Sequence, residues 1–154
     1  MKNQKETFIN QIRTLPARLI ELTGQLTDSQ LDTPYRNGGW TVRQVIHHLV
    51  DSHSNGLVRL KLILAENHPT LHPYNQEIWA QFDDTKIMPI ESSLKILEGL
   101  QERIAYIFEH ANNDDYQRTA FHPEIGDITF EYELEAYALH GENHLKQIEN
   151  LFSN

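Results

Sequence analysis

The chain has 154 residues, enough for one compact domain, and residues 1–154 are read as a single unit. Thirteen Lys and Arg against 22 Asp and Glu give a formal charge of −9 with no local basic stripe, which argues against a nucleic-acid partner. Without cysteine the chain has no disulfides, thiolate metal sites or Cys nucleophiles; without an 18-residue apolar run or an apolar N-terminal core, neither a membrane span nor a signal peptide is expected, and a cytoplasmic protein fits.

The first amphipathic segment runs from about Lys5 to Leu22, with Phe8, Ile9, Ile12, Leu15, Leu19 and Leu22 at spacings of three and four. Pro16 lies inside it and predicts a kink or an early break. Thr33 to Gly39 reads as a turn-rich loop. The second helix is expected from about Val42 to Glu66, with Thr41 as N-cap, Gln44 completing a capping box and Pro69 just past its end. Gly56, mid-helix, costs about 1 kcal/mol relative to Ala, and a close helix–helix approach there would explain it. The long connection from His68 to Pro89 predicts a short helix around Gln76 to Phe82. A third helix follows from about Glu91 to His110. Thr119 to Thr129, with Pro123 and Gly126, reads as a small hairpin. The fourth helix runs from about Thr129 to Phe152, with Phe130, Leu134, Tyr137, Ala138, Gly141, Leu145 and Ile148 on one face. Four such segments predict an all-α four-helix bundle.

Nine histidines are the composition feature most in need of a reason. His140 and His144, four apart on a helix, share one face at about 5–6 Å and can reach one metal ion. On the helical wheel His144 lies about 50° and His140 about 90° from the centre of the apolar stripe, so the pair borders the core. The intervening Glu142 points about 200° away from His140, unlike the base of a His-Glu-x-x-His site, so zincin chemistry is not expected. No Glu precedes a His by three residues, which argues against a di-iron carboxylate site. A third ligand can come from His47, His48 or His53. Periodicity mildly prefers His53, near the stripe centre, and does not settle the choice. His68, His72, His110 and His122 fall in loops or at a helix end, where surface or structural roles are expected.

The stretch from Gly39 to His53, with Pro69-Thr70, Pro73-Tyr74, Glu77-Ile78-Trp79, His122-Pro123-Glu124 and Tyr137 through His144, resembles the DinB-like superfamily, and within it the YfiT type of metal-dependent hydrolases, which are related to bacillithiol transferases. The resemblance spans nearly the whole chain in order. It implies an up-down-down-up four-helix bundle holding one zinc or nickel ion through three histidines, which map onto His48, His140 and His144. His47 and His53 then become supporting or packing residues. Relatives often carry a further His at the position of Asn143.

Three neutral imidazoles leave a tetrahedral ion one open position, the catalytic rather than the structural arrangement. Water activated there would hydrolyse an ester, amide or similar electrophile. The same position could take the thiolate of a small low-molecular-weight thiol, giving an S-transferase, and a non-catalytic metal-binding bundle is the third reading. The expected partner is a small-molecule substrate, and the resemblance suggests a homodimer. Asp51 or Glu133 is a candidate to orient a ligand imidazole, Arg59 to bind an anionic substrate or pair with an acid, and Trp40 and Trp79 to line a pocket.

Overall fold

A computed structural model of the protein describes residues 2–152. Its long helices are α1 (Lys2–Thr23), α3 (Val42–Ala65), α6 (Glu91–His110) and α8 (Phe130–Phe152). Between them lie the single turns α2 (Asp28–Leu31), α4 (Gln76–Trp79), α5 (Asp83–Lys86) and α7 (Asn113–Tyr116), and the strands β1 (Thr119–His122) and β2 (Gly126–Thr129).

Side-chain contacts fix the helix directions. His47 meets Ser93 and His53 meets Gln101, so α3 and α6 run parallel. Lys5 pairs with Glu131 and Arg18 with Glu142, so α1 and α8 also run parallel. His48 faces His144 while His53 faces His140, so α3 and α8 are antiparallel. The order is therefore up-down-down-up, with α1 and α3 each packed against both α6 and α8. Ile12, Leu15, Leu19, Val45, Leu49, Leu60, Leu97, Ile104, Phe130 and Ile148 are buried along the shared interior.

Local chemistry accounts for the boundaries. The Thr41 side chain accepts from the Gln44 amide and Gln44 returns the bond to the Thr41 backbone, so the predicted capping box starts α3. A Cβ on Gly56 would stand 2.7 Å from a Tyr137 ring carbon, so the glycine does mark a close crossing, that of α3 over α8. A Cβ on Gly141 would stand 2.6 Å from the Leu15 side chain where α8 meets α1. The early break at Pro16 does not occur: α1 continues to Thr23. A helix-interior proline costs about 3 kcal/mol, and burying Leu15 and Leu19 on either side returns roughly 1.5–3 kcal/mol each. The expected short helix around Gln76 to Phe82 forms as α4, one turn ending at Trp79, and Phe82 (ψ 152°) then precedes a second turn, α5.

The hairpin forms as expected, Thr119 opposite Thr129 and His122 opposite Gly126. The chain after α3 joins its edge through the Leu71 amide on the Phe121 carbonyl (2.8 Å) and the Phe121 amide on the Pro69 carbonyl (2.9 Å). Arg118 donates to the Ile63 and Glu66 carbonyls at 2.6 and 2.7 Å, closing the C-terminal end of α3. The hairpin is thereby clamped beside α3, with His122 facing inward. Among the described residues no helix is long and apolar enough to cross a membrane.

Candidate metal centre

His48 sits in the second turn of α3, and His140 and His144 are one turn apart on α8. The antiparallel crossing brings all three rings together. Nε2 of His140 lies 3.1 Å from Nε2 of His48 and 3.1 Å from Nε2 of His144. One nitrogen from each of the three falls within 4.8 Å of the other two.

Two tetrahedral imidazole ligands at zinc–nitrogen distances of about 2.0–2.1 Å stand about 3.3 Å apart, close to the spacing seen here. The donor chemistry also fits a cation. Each ring nitrogen offers one in-plane N–H or one lone pair, and two neighbours converge on the single site of His140 Nε2. Mutual hydrogen bonds leave one of the three unsatisfied, whereas a cation accepts all three lone pairs. Burial, with the nearby His144 and His53 adding to it, holds His48 down to about 3. Burial likewise pushes His140 well below the ordinary imidazole range and lowers His144. The three rings are therefore neutral at pH 7 and can ligate a divalent ion.

The outer nitrogens are held too. Nδ1–H of His144 donates to Oε1 of Gln147 at 2.8 Å, which leaves its Nε2 lone pair directed at the cluster. Nδ1 of His140 lies 3.1 Å from Nε2 of His53, whose own Nδ1 is 2.6 Å from the Gln101 side-chain amide. His53 is fully buried, and burial lowers its pKa to about 4. His53, which periodicity mildly favoured as a ligand, thus stands behind His140. His47 points elsewhere: its Nε2–H donates to the Met88 carbonyl at 3.0 Å and its Nδ1 is 2.7 Å from the Ser93 hydroxyl, tying α3 to the start of α6.

Neither Asp51 nor Glu133 bonds to a cluster imidazole. Asp51 is raised to about 6 by burial and then by Asp84. Glu133 is raised to about 7 by burial, against the pull of Arg59. Their expected orienting role falls to Gln147 and to the Gln101–His53 pair. His122, expected in a surface or structural role, is buried at the end of β1 and accepts from the Glu124 amide through Nδ1 at 3.3 Å. His68 and His110 serve local structure, through Thr119 and the Tyr106 carbonyl, and His72 is exposed. Asn143 is exposed, away from the cluster.

Two cavities reach the cluster and share His140 and Gln76. The smaller, about 300 Å³, is lined by Tyr35, Arg36, Trp40 and Glu77 together with all three histidines. Trp40 stands edge-on to His48 with ring centres 4.7 Å apart, and its Nε1–H donates to Glu77 at 3.3 Å. The larger, about 660 Å³, runs from His140 past Ser52, Tyr74 and Arg59 to the hairpin residues His122 and Glu124. Trp79 packs against Tyr74 with ring centres 4.6 Å apart.

A four-helix bundle in up-down-down-up order with three converging histidines defines a bundle with a candidate metal centre. The DinB superfamily matches residues 11–148, a span that includes His48, His140 and His144, and the chain belongs to that family. A relative in Bacillus cereus (strain ATCC 10987 / NRS 248) is 43% identical over 146 residues, covering 95% of this chain and 84% of its own. One in Bacillus thuringiensis subsp. konkukian (strain 97-27) has the same identity and coverage. Both carry the provisional name of metal-dependent hydrolase. The solved structure of YfiT from Bacillus subtilis, described as a probable metal-dependent hydrolase with an unusual four-helix bundle topology, superposes with a TM-score of 0.95. It is 39% identical, and the match covers 98% of this chain and 87% of that one.

Proposed function

We propose that the protein is a metal-dependent hydrolase in which His48, His140 and His144 hold one divalent ion, zinc or nickel. The observation that carries this reading is the convergence of three neutral histidines, with Nε2 of His140 3.1 Å from Nε2 of both His48 and His144, beside two open cavities. A divalent ion bound there supplies a Lewis acid, able to bring water to a pKa of about 7 and to polarise an ester or amide carbonyl. The chain's own residues do the rest. Gln147 and His53 hold the two α8 imidazoles in the ligating orientation. Trp40 packs edge-on against His48 and lines the smaller cavity beside it. The larger cavity admits a small-molecule substrate against His140.

The pair of cavities favours a second reading. Hydrolysis needs room for one organic substrate, whereas two chambers meeting at His140 and Gln76 suit a thiol in one and its electrophile in the other. Zinc-reconstituted and chelated protein, assayed on activated esters and amides and on thiol–electrophile pairs, separate the readings. Metal-dependent product without thiol supports the hydrolase, and metal-dependent product only with thiol supports the S-transferase. A metal-loaded protein inactive in both assays favours a non-catalytic bundle.

A further inference from the structure

The larger cavity contains a cation whose hydrogen-bonding capacity is largely unspent. Arg59 projects into it from α3, and among the described residues no carboxylate pairs with its guanidinium. Its two contacts are long and to neutral oxygens: Nη1 to the Tyr137 hydroxyl and Nη2 to the His72 carbonyl, both 3.4 Å. Its Nε is buried with no partner. A guanidinium carries five N–H donors in a planar fork, and leaving a buried one unmatched costs about 1–3 kcal/mol. The same chain pairs Arg13, Arg18 and Arg43 with carboxylates. Glu133 is near enough to feel the charge of Arg59 but makes no ion pair with it.

We propose that Arg59 is the anchoring point for a carboxylate group on the substrate, whose reacting end then reaches His140 in the same cavity. This rests on the proposed metal reading and names the substrate class for that site. A carboxylate matches the guanidinium fork with two parallel bonds. The surroundings select a single negative charge over the double charge of a phosphate. Arg59 is the one formally cationic side chain lining the cavity, the exposed Glu124 stands on its rim, and the chain as a whole carries −9. His122 does not add a second charge at pH 7, because burial and Arg59 lower its pKa. Arg59 lies six residues beyond His53 on α3, about 9 Å along the axis, and His53 touches His140, so a short chain links the carboxylate to the reacting end.

The test uses zinc-loaded protein and ω-mercaptoalkanoates of three to eight carbons, each beside the matching ω-mercaptoalcohol, titrated by calorimetry. At the best length the acid binds about tenfold or more tightly than the alcohol, the size expected for one charge-assisted pair. Arg59→Gln abolishes that preference without altering alcohol affinity or zinc content, and Arg59→Lys, which keeps the charge and loses the fork, retains part of it. Equal affinity for acid and alcohol at every length in the wild type overturns the proposal, as does a preference that survives Arg59→Gln. Ligand-observed NMR of the same acids with metal-free His140→Ala protein separates the two failures. Arg59-dependent acid binding there, beside a wild type that takes up no zinc on reconstitution, sinks the metal reading alone. Stoichiometric zinc with no acid preference sinks the carboxylate site alone, and absence of both sinks both.

Discussion

Nε2 of His53 lies 3.1 Å from Nδ1 of His140, behind the imidazole whose Nε2 faces His48 and His144. If His140 gives its Nε2 lone pair to a cation, its neutral ring carries the proton on Nδ1 and donates it to His53. His53 then bears its own proton on Nδ1, which requires the oxygen of the Gln101 amide to face it. Oε1 of Gln101 is buried without a partner while the nitrogen is placed toward His53, and a 180° rotation of the amide supplies the acceptor. Replacing His53 by Ala or Gln101 by Leu is therefore expected to weaken zinc binding about 10–100-fold without abolishing it. Competition against a chromogenic chelator measures this. Unchanged affinity in both variants would show that the buried chain does not orient His140.

His47 separates structure from metal binding. His47→Ala should leave metal content intact yet lower stability by about 1–3 kcal/mol, because the Ser93 hydroxyl and the Met88 carbonyl lose a buried partner. Urea unfolding beside metal analysis checks both halves. Loss of metal in this variant would contradict the division of labour between His47 and His48.

Gly56 sits where α3 crosses Tyr137, and Tyr137 in turn lies edge-on to His53 with ring centres 5.0 Å apart. Gly56→Ala gains about 1 kcal/mol in helix propensity but forces the ring aside, at a cost of about 1–3 kcal/mol for overpacking. The net expectation is a small loss of stability with weakened metal affinity, since the displaced ring presses on His53. A stabilised variant with unchanged affinity would mean that the crossing is looser than described.

Stability of the metal-free protein should fall on acidification from pH 7 to pH 5. His48 and His53, held to about 3 and about 4, lie below the ordinary 6.5, so the unfolded chain takes up protons that the folded one refuses. Their contribution is complete above about pH 6.5 and is lost as pH drops toward those folded values. His140 and His144 act in the same direction. Asp51 and Glu133, raised to about 6 and about 7, oppose this: their contribution is complete below their ordinary 3.8 and 4.5 and is lost as pH rises through the raised values. Burial lowers His47 and His122 as well, so six histidines against two carboxylates set the net sign. Thermal melts of chelated protein at pH 7, 6 and 5 test it, and a melting temperature that rises toward pH 5 would reverse the assignment of the dominant groups.

Much of the fold is legible in the sequence because it is written in local patterns. The three-and-four spacing from Phe8 to Leu22, the Thr41–Gln44 box and the Gly126 turn each act within a few residues. Pro16 does not end the helix, because the packing of Leu15 and Leu19 across the bundle outweighs a local penalty. The site is less legible. His140 and His144 stand out through their spacing, but a helical wheel of α3 points to His53, since it finds the residue facing the bundle interior, and His53 is indeed fully buried. His48 faces sideways toward α8, a direction that periodicity does not mark and that only the family resemblance supplied. Gln101 acts from α6 on a residue of α3, and the inward turn of His122 depends on the hairpin docking beside α3, so neither has a local signature. Gln147 is the exception: its spacing of three from His144 could have suggested the contact.

The central claim is that His48, His140 and His144 together hold one divalent ion. The most direct test is metal content by mass spectrometry on tag-free protein, wild type beside His48→Ala, His140→Ala and His144→Ala, before and after reconstitution with zinc. The account predicts about one zinc or nickel per wild-type chain and its loss in each variant. No stoichiometric metal in the reconstituted wild type, or full retention in the His48→Ala variant, would contradict it.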